Sequence, residues 1–346
     1  MRFGLYGLAL LALAACGGGE GDPASGQPAS NAGSNGAIVQ GGRDSGSGAF
    51  ASIEGDYVTE TRLSGKLLFI SAEPLEASQV MMADFDRGSA SVLADGFAPS
   101  SWGGDIAFVE GCGPLAVRLS VLDGDGFTSP ISECVEEDVI TPDFFAPAIS
   151  PDGSLIAVTN LEIPSKETFE DPLQAWAEGK STYAATQVYR RNGTLVAEFE
   201  GRGPSAFARD GRLILSGLSD DAGYGLYEAD FDAGETIRID DGRLNGPVLS
   251  IDTHPKNDAI VFVHNGALFE MDLGEGAPKR LYAHGYPLAA AAYSPNGKKI
   301  AFVSQDPLKE ASRVAGPGYP LFVYEDGDVA VVRFAVIPGG RLDWVE

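Results

Sequence analysis

One short motif recurs along this chain and constrains its fold more than any other feature. In its clearest form it reads Ser-Pro-Asp/Asn-Gly-x-x-Ile-Ala, a turn followed by an apolar strand. Proline restricts one φ angle, aspartate or asparagine hydrogen-bonds within its own turn, and glycine adopts positive φ, so the motif predicts a tight hairpin. Clear copies cover residues 149–158, 207–215 and 293–303, and looser copies cover 101–108, 253–261 and 337–344. Their turns lie 39 to 58 residues apart, which indicates a repeat architecture.

A second recurring element follows most copies of the motif. It is an alternating strand that ends in aspartate, at 80–84, 119–123, 226–230 and 268–272. Each unit therefore contains strand A, the tight turn, strand B, a variable loop, strand C, a turn and strand D. No amphipathic helix longer than about ten residues interrupts these units. Four-stranded units at this spacing are typical of propeller blades, so we predict an all-β, six-bladed β-propeller of four-stranded antiparallel blades.

The blades are predicted at residues 64–97, 98–146, 147–204, 205–246, 247–289 and 290–334. The first blade has recognisable strands B, C and D but no convincing strand A. The last segment, 335–346, has the patterns of strands A and B but not of strands C and D. We therefore expect the C-terminal strand to complete the first blade and close the ring, which leaves few free strand edges.

These repeats resemble the TolB-like propeller family, whose blades carry a Ser-Pro-Asp-Gly-Lys-x-Ile-Ala-Phe stretch. The resemblance covers residues 98–346 well and 64–97 more weakly. It implies the propeller fold and a protein partner in the cell envelope, such as another envelope lipoprotein or a cell-wall-associated complex. TolB itself has an additional α/β domain before its propeller, whereas a different segment precedes the propeller here, so the resemblance is to the family and not to TolB itself.

The N-terminal residues predict where the protein works. A single basic residue, Arg2, precedes an apolar run that ends in Leu13-Ala14-Ala15-Cys16. This arrangement resembles a bacterial lipoprotein signal, which predicts removal of residues 1–15 and lipidation of Cys16. The alternative is an ordinary secretory signal with an incidental cysteine. By resemblance to enteric bacteria, Gly17 in place of aspartate favours sorting to the outer membrane, so we predict a lipid-anchored protein of the bacterial cell envelope.

The segment after the signal differs in composition from the rest of the chain. Residues 16–50 are dominated by Gly, Ser, Ala, Asn, Pro and Gln and contain almost no large apolar side chains. Such a segment buries too little surface to offset its chain entropy, so we predict a disordered tether that carries a propeller over residues 51–346. No second apolar run approaches the roughly 20 residues that span a bilayer. We expect the lipid to be the only membrane attachment.

The chain is strongly acidic. It has 49 acidic and 24 basic residues and a formal net charge of −25. Such a surface repels nucleic acid and anionic head groups, so we expect no nucleic-acid partner. The charge keeps an exported protein soluble, and a dedicated cationic partner is the alternative interpretation.

Two cysteines remain once Cys16 is assigned to the lipid. Cys112 is predicted just after strand B of blade 2, and Cys134 near strand D. Strands B and D are about 10 Å apart, beyond the ~7 Å Cα limit of a disulfide, so the flanking loops must curl inward. An even number of cysteines in an oxidising compartment nevertheless predicts a disulfide between them, with two buried thiols as the alternative.

The B–C loops are the most elaborate connections, at 160–186 in blade 3 and 305–318 in blade 6. Long insertions on a regular scaffold often carry binding residues. The candidates are three apolar anchors and one acidic residue: Phe169, Trp176, Tyr183 and Asp306. The alternative is that these side chains only pin long loops to the rim.

The sequence identifies no catalytic residue, metal site or cofactor. Three histidines, His254, His264 and His284, all belong to blade 5 but lie at different strand ends, which disfavours a shared metal site. The stretch 123–126 resembles part of a calcium loop but lacks the later ligands, so a β-turn is favoured. No nucleophile has an identifiable base, and no glycine loop precedes a helix to bind phosphate.

The function predicted from these observations is a lipid-anchored binding or scaffold module that recognises an envelope protein through the loop-rich face of a propeller. Two alternatives remain open. The first is a propeller-type enzyme, such as a lactonase, lyase or glycosidase, because propellers can build active sites at the channel mouth. The second is a propeller that binds envelope polysaccharide without cleaving it.

Overall fold

The tight turns of the repeat each join two antiparallel strands, and four strands lie side by side in every unit. The computed structural model describes residues 63–70, 79–87, 89–113, 116–136, 147–162, 182–219, 223–283, 287–304, 319–336 and 342–345. Over these ranges it contains 25 strands and no helix, arranged as six sheets. The prediction of an all-β, six-bladed propeller is confirmed. No described helix is long and apolar enough to cross a membrane.

The first three blades follow one another along the chain. Blade 1 contains β1 (Lys66–Ile70), β2 (Gln79–Asp84) and β3 (Ser89–Asp95). Blade 2 contains β4 (Phe97–Trp102), β5 (Asp105–Gly113), β6 (Ala116–Leu122) and β7 (Thr128–Pro130), and β8 (Val135–Glu136) also pairs with β6. Blade 3 contains β9 (Ala148–Ile149), β10 (Leu155–Glu162), β11 (Thr182–Arg190) and β12 (Leu195–Glu200).

The next three blades keep the same order. Blade 4 contains β13 (Arg202–Phe207), β14 (Leu213–Ser219), β15 (Gly223–Asp230) and β16 (Glu235–Arg238). Blade 5 contains β17 (Val248–Thr253), β18 (Ala259–His264), β19 (Ala267–Asp272) and β20 (Lys279–Ala283). Blade 6 contains β21 (Leu288–Tyr293), β22 (Ile300–Ser304), β23 (Tyr319–Glu325) and β24 (Asp328–Val336), and the last strand is β25 (Asp343–Val345).

The A–B turns show why the repeat motif is conserved within the chain. In blade 3 the Ser150 hydroxyl accepts a hydrogen bond from the Leu155 N–H at 2.9 Å and donates one to Asp152 Oδ1 at 2.6 Å. Ser294 and Asn296 repeat this arrangement in blade 6. These bonds satisfy turn donors locally, and the hydrogen bond from Ser150, with those from Ser154, lowers the pKa of Asp152 to about 2.

The aspartate that ends strand C has a similar local role in the C–D turn. Asp123 Oδ1 accepts the backbone N–H groups of Asp125 at 3.0 Å and of Phe127 at 2.9 Å. Asp230 and Asp272 accept two backbone N–H groups each in blades 4 and 5. Some of the aspartates that make the chain acidic therefore stabilise turns by accepting backbone hydrogen bonds.

The hydrophobic core lies between the blades. Phe207 and Leu213 of blade 4, for example, pack in one cluster with Ala157 and Val188 of blade 3. Equivalent clusters join blades 1 to 3, blades 4 and 5, blades 5 and 6, and blades 6 and 1. Because neighbouring blades cover both faces of the inner strands, the strand B segments are buried along most of their length, as β22 is.

The C-terminal strand closes the ring, as the sequence predicts. Strand β25 pairs antiparallel with β1, and Leu67 lies opposite Trp344. It therefore supplies the missing strand A of blade 1. The preceding residues, up to Val336, belong to β24 and so complete blade 6.

A carboxylate on strand A also ties neighbouring blades together. Asp343 of β25 accepts hydrogen bonds from the backbone N–H and the hydroxyl of Ser101 in blade 2, the latter at 3.1 Å. Asp252 of blade 5 accepts the backbone N–H of Tyr293 in blade 6 at 2.7 Å. Each bond links strand A of one blade to strand A of the next.

We expect Trp344→Ala to destabilise the propeller by about 3–5 kcal/mol. The indole is 5% exposed, packs edge-on against Phe85 at 5.7 Å and donates a hydrogen bond to the Ser64 carbonyl at 2.9 Å. Urea denaturation measures the change in the free energy of unfolding. Ile237→Ala, at a residue 60% exposed, is the control and should stay within about 0.5 kcal/mol of the parent. Equal stabilities for the two variants would contradict the closure.

A disulfide joins Cys112 to Cys134 within blade 2. Gly111 of β5 lies opposite Val117 of β6, which in turn lies opposite Val135 of β8. The short strand β8 returns the chain toward the start of β6, and the two Cα atoms lie 6.3 Å apart. This separation is within the usual range for a disulfide and shorter than two strand spacings.

Replacing both residues, Cys112→Ala with Cys134→Ala, should lower the free energy of unfolding by about 3 kcal/mol in the chain-entropy model. The bond closes a loop with a sequence separation of 22 residues. The control is Cys16→Ser, which leaves the bond in place and should contain no free thiol when denatured without reductant. Two titratable thiols in that control would show that the bond is not formed.

Candidate functional site

The antiparallel order of each blade produces two faces of different character. The A–B and C–D turns leave one face, called the turn face here, and the B–C and D–A connections leave the other, called the loop face. Contacts between blades bring the turns together. Arg191, after β11, pairs with Asp105 at the start of β5, and Arg212, before β14, pairs with Asp258, before β18, at 2.6 Å.

The binding residues predicted from the sequence belong to connections of the loop face. Phe169, Trp176 and Asp306 lie outside the described residues, so their roles stay predictions. Tyr183 lies within β11, where its backbone pairs with Leu161 of β10. The two strands extend further than the sequence pattern indicates, so the connection in blade 3 is 163–181 instead of 160–186.

A partly buried arginine at the loop face was missed by the sequence reasoning. Arg202 begins β13 and donates to the Leu218 carbonyl at 2.7 Å and to the Thr236 hydroxyl at 3.1 Å. Its guanidinium lies 4.2 Å from the centre of the Tyr227 ring. Burial lowers the pKa of Arg202, and no described carboxylate forms an ion pair with it. Gly217 pairs with Arg202 across the two strands, and a Cβ on residue 217 would lie 2.8 Å from Arg202 Cδ. The glycine at position 217 was therefore the sequence signal that a large side chain lies there.

A second arginine on blade 4 is neutralised by a carboxylate. Arg238 donates to Asp240 Oδ2 at 3.1 Å and to Oδ1 at 2.9 Å, and this hydrogen-bonded pairing raises the pKa of Arg238. The Asp240 side chain is fully buried and also accepts the Leu226 N–H at 2.8 Å. Because its oxygens are occupied within the protein, this pair has a structural role. Arg202, by contrast, has only neutral hydrogen-bond partners among the described residues, so its charge remains available to attract a carboxylate or phosphate.

The turn face contains a cation that links two blades. Arg212 contacts three carboxylates, Asp210 at 2.6 Å, Glu228 at 3.1 Å and Asp258 of blade 5 at 2.6 Å. Burial alone would lower the pKa of Arg212, but the hydrogen bonds to these carboxylates raise it. The arrangement holds blade 4 against blade 5, and the three carboxylates neutralise the charge of Arg212.

His254 replaces the serine of the A–B turn in blade 5. Its Nδ1 accepts the backbone N–H groups of Lys256 at 3.0 Å and Asn257 at 2.9 Å. The ring packs against Tyr293 of blade 6 at 4.8 Å, and a Cβ on Gly297 would lie 2.2 Å from Nε2. Burial lowers the pKa of His254. The imidazole is therefore a structural acceptor between two blades.

The other described histidine also belongs to a local network. His264 is buried, its Nδ1 lies 3.2 Å from the Pro247 carbonyl, and its Nε2 lies 3.1 Å from the Asn265 side chain. Burial lowers the pKa of His264 as well. His284 is outside the described residues. Across the described part of the chain, no group of three or more His, Cys, Asp or Glu side chains is arranged to hold a metal ion.

Solved structures share this fold. TolB from Acinetobacter baumannii superposes with a TM-score of 0.58 and 16% identity, over 82% of this chain and 67% of that chain. A chain of the nidogen/laminin complex gives a TM-score of 0.51 and 10% identity, over 81% and 98%. A protein described as a putative TolB from Agrobacterium tumefaciens gives a TM-score of 0.47 and 19% identity, over 80% of this chain and 90% of that chain.

The six sheets establish the class of the protein, a six-bladed β-propeller, and its fold is similar to that of TolB from Acinetobacter baumannii. At such identities the likeness is one of fold. No family model and no curated protein matches the sequence.

We expect His254→Asn to weaken the dependence of stability on acidity. Because burial lowers the pKa of His254, the unfolded chain binds its proton more readily. The contribution of His254 to the free energy of unfolding is therefore fully present above the ordinary histidine pKa of about 6.5, and it is lost as the pH falls below that value. An asparagine oxygen can accept the same turn N–H groups without titrating.

The measurement is the melting temperature between pH 7.5 and pH 5. The variant should be less stable than the parent at pH 7.5, because it loses the Tyr293 contact, but should lose less on acidification. His254→Ala removes both the hydrogen-bond acceptor and the titrating group. Its difference in stability from His254→Asn therefore measures the contribution of the hydrogen bonds in the turn. Parallel curves for the parent and His254→Asn would contradict the assignment.

Proposed function

We propose that the protein is a lipid-anchored binding module of the bacterial cell envelope that recognises a protein partner through its loop face. Cys16 would carry the lipid, residues 16–50 would form the tether, and the propeller would present its B–C connections to the partner. The envelope location is supported by the stretch Leu13-Ala14-Ala15-Cys16.

The observation that carries this proposal is the unequal length of the connections on the two faces. The described A–B and C–D turns contain two to six residues each. The B–C connections of blades 1, 3 and 6 span 71–78, 163–181 and 305–318, whereas those of blades 2, 4 and 5 contain two or three residues. On a closed ring with few free edges, chain length added at one face is where a recognition surface is built.

The fold neighbours support a protein as the partner. The nidogen/laminin complex is a protein complex that contains a chain of similar fold, and TolB is another neighbour with a TM-score above 0.5. The net charge of −25 argues against a polyanionic partner such as nucleic acid. Arg202 at the loop face adds a cation that suits a carboxylate of the partner.

The proposal is tested by shortening one connection. Glu162 and Thr182 are paired across β10 and β11, so an Asn-Gly turn can replace residues 163–181 without moving either strand. Crosslinking in intact cells followed by purification should recover a partner with the parent protein and lose it with the shortened variant. The variant should keep the parent melting temperature. Ile237→Ser, on the outer strand of blade 4, is the control and should still recover the partner.

The anchor is tested separately in the same cells. Cys16→Ser should move the protein from the membrane to the soluble envelope fraction, because the lipid is the only attachment proposed to be strong enough to hold it there. Retention of Cys16→Ser on membranes washed with high salt would overturn the lipid assignment. Recovery of the same partner by the shortened variant would overturn the role of the blade 3 connection.

A further inference from the structure

Exposed apolar side chains are concentrated on the turn face. The described residues include seven large apolar side chains classed as exposed. The three aromatic ones, Trp102, Phe127 and Phe231, are 40%, 71% and 37% exposed and lie at an A–B turn or in C–D turns. Leu195 and Val196 begin β12 directly after another C–D turn. Only Val92 and Ile237, on outer strands, lie elsewhere.

These side chains belong to three consecutive blades, and the C–D turns of blades 3 and 4 each contact the preceding blade. Trp102 and Phe127 are on blade 2, and Phe231 on blade 4 packs edge-on against Phe199 of blade 3 at 5.7 Å. A Cβ on Gly193, in the C–D turn of blade 3, would lie 2.6 Å from the Ile131 carbonyl oxygen of blade 2. The apolar side chains therefore share one sector of the turn face.

The chain also enters the propeller at the turn face. The Gly65 N–H donates to Asp86 Oδ2 at 3.0 Å, and the Phe85 N–H donates to the Gly65 carbonyl at 3.0 Å. Asp86 and Phe85 belong to the C–D turn of blade 1, next to blade 2. Ser64 is held there as well, by the hydrogen bond from Trp344. The segment that leads from Cys16 thus reaches the folded domain on the face that exposes the aromatic side chains.

We infer that the turn face is the membrane-proximal face and rests on the lipid surface through Trp102, Phe127 and Phe231. The inference rests on the proposed lipid anchor and adds an orientation to it. Aromatic side chains favour the interfacial region of a bilayer. The lipid anchor also raises the effective concentration of the propeller at the membrane, so that even a weak contact between the turn face and the lipid is populated. The loop face then points away from the membrane and stays open to a partner.

Charge defines the kind of lipid surface. Asp125 lies beside Phe127, and Asp232 lies beside Phe231, both exposed. These carboxylates oppose binding to anionic head groups. The contact is therefore an apolar one with a zwitterionic surface, driven by burial of the aromatic side chains.

The orientation is tested with the mature chain from Cys16, which retains every described residue. Cys16 is the one cysteine outside the disulfide, so its thiol can be coupled to maleimide-phosphatidylethanolamine in phosphatidylcholine vesicles. Dibrominated phosphatidylcholine then quenches any tryptophan at the lipid surface. The difference in fluorescence between the parent and Trp102→Phe gives the contribution of Trp102. The difference between the parent and Trp176→Phe gives the contribution of Trp176, which belongs to the blade 3 connection.

We expect the bromolipid to reduce the Trp102 fluorescence about twofold and to leave the Trp176 component unchanged. Quenching of Trp176 without Trp102 would reverse the orientation, and quenching of neither would show that the propeller does not rest on the membrane. Chemical coupling supplies the anchor, so absence of natural acylation at Cys16 would overturn the proposed function and leave this readout intact.

Two further variants assign the contact to the aromatic side chains. Phe127→Ser with Phe231→Ser should lower the equilibrium constant for surface contact about tenfold and abolish the quenching of Trp102. Val92→Ser with Ile237→Ser removes equally exposed apolar side chains from the outer strands and should leave the quenching unchanged. Unchanged quenching in the Phe127 and Phe231 variant, or equal loss in both, would overturn the inference. Melting temperatures verify that each variant is folded.

Discussion

The pairing of β25 with β1 is the contact on which the rest of the propeller depends. It joins segments at opposite ends of the folded chain, and the hydrogen bond from Trp344 to Ser64 spans 280 residues. Closing so long a loop costs chain entropy, which is offset by burial of Leu342 and Trp344 against the core between blades 6 and 1. Asp343 then extends the closure to blade 2 through Ser101. Three adjacent residues thus close the first blade, fill its core and hold the next blade.

Once the ring is closed, the inner strands of each blade are buried on both faces, and the largest differences in length between blades lie in the connections. The short turns are consolidated by their own side chains, such as Ser150 and Asp123, and by ion pairs between blades, such as Arg212 with Asp258. The longer connections leave from the opposite face. The same antiparallel order therefore separates a regular face, where the chain enters, from an elaborated one.

Electrostatics has a local role in a chain with a net charge of −25. Several carboxylates accept backbone hydrogen bonds in turns, and at Asp152 the hydrogen bonds from Ser150 and Ser154 lower the pKa. Asp240 and Arg238 neutralise each other inside blade 4, whereas Arg202 has only neutral hydrogen-bond partners among the described residues. Net charge alone is therefore a poor guide to recognition, because the distribution of charge depends on which carboxylates the fold uses internally.

The sequence by itself determined the blades and their order, because these follow from short-range chemistry, and it indicated the closure, because the first blade lacks a strand A and the C-terminal segment has a strand to spare. Proline, glycine and aspartate specify a turn wherever it occurs, and alternating apolar residues specify a strand. The sequence indicated neither the extension of β10 and β11 that places Tyr183 in a strand, nor the strand β8 that brings the Cα atoms of Cys112 and Cys134 to 6.3 Å. It also did not place Arg202 over Tyr227, and it did not indicate that the exposed aromatic side chains of the described residues lie on the turn face. Such contacts join residues distant along the chain, and their geometry depends on sheet twist and strand register, which only the tertiary structure decides.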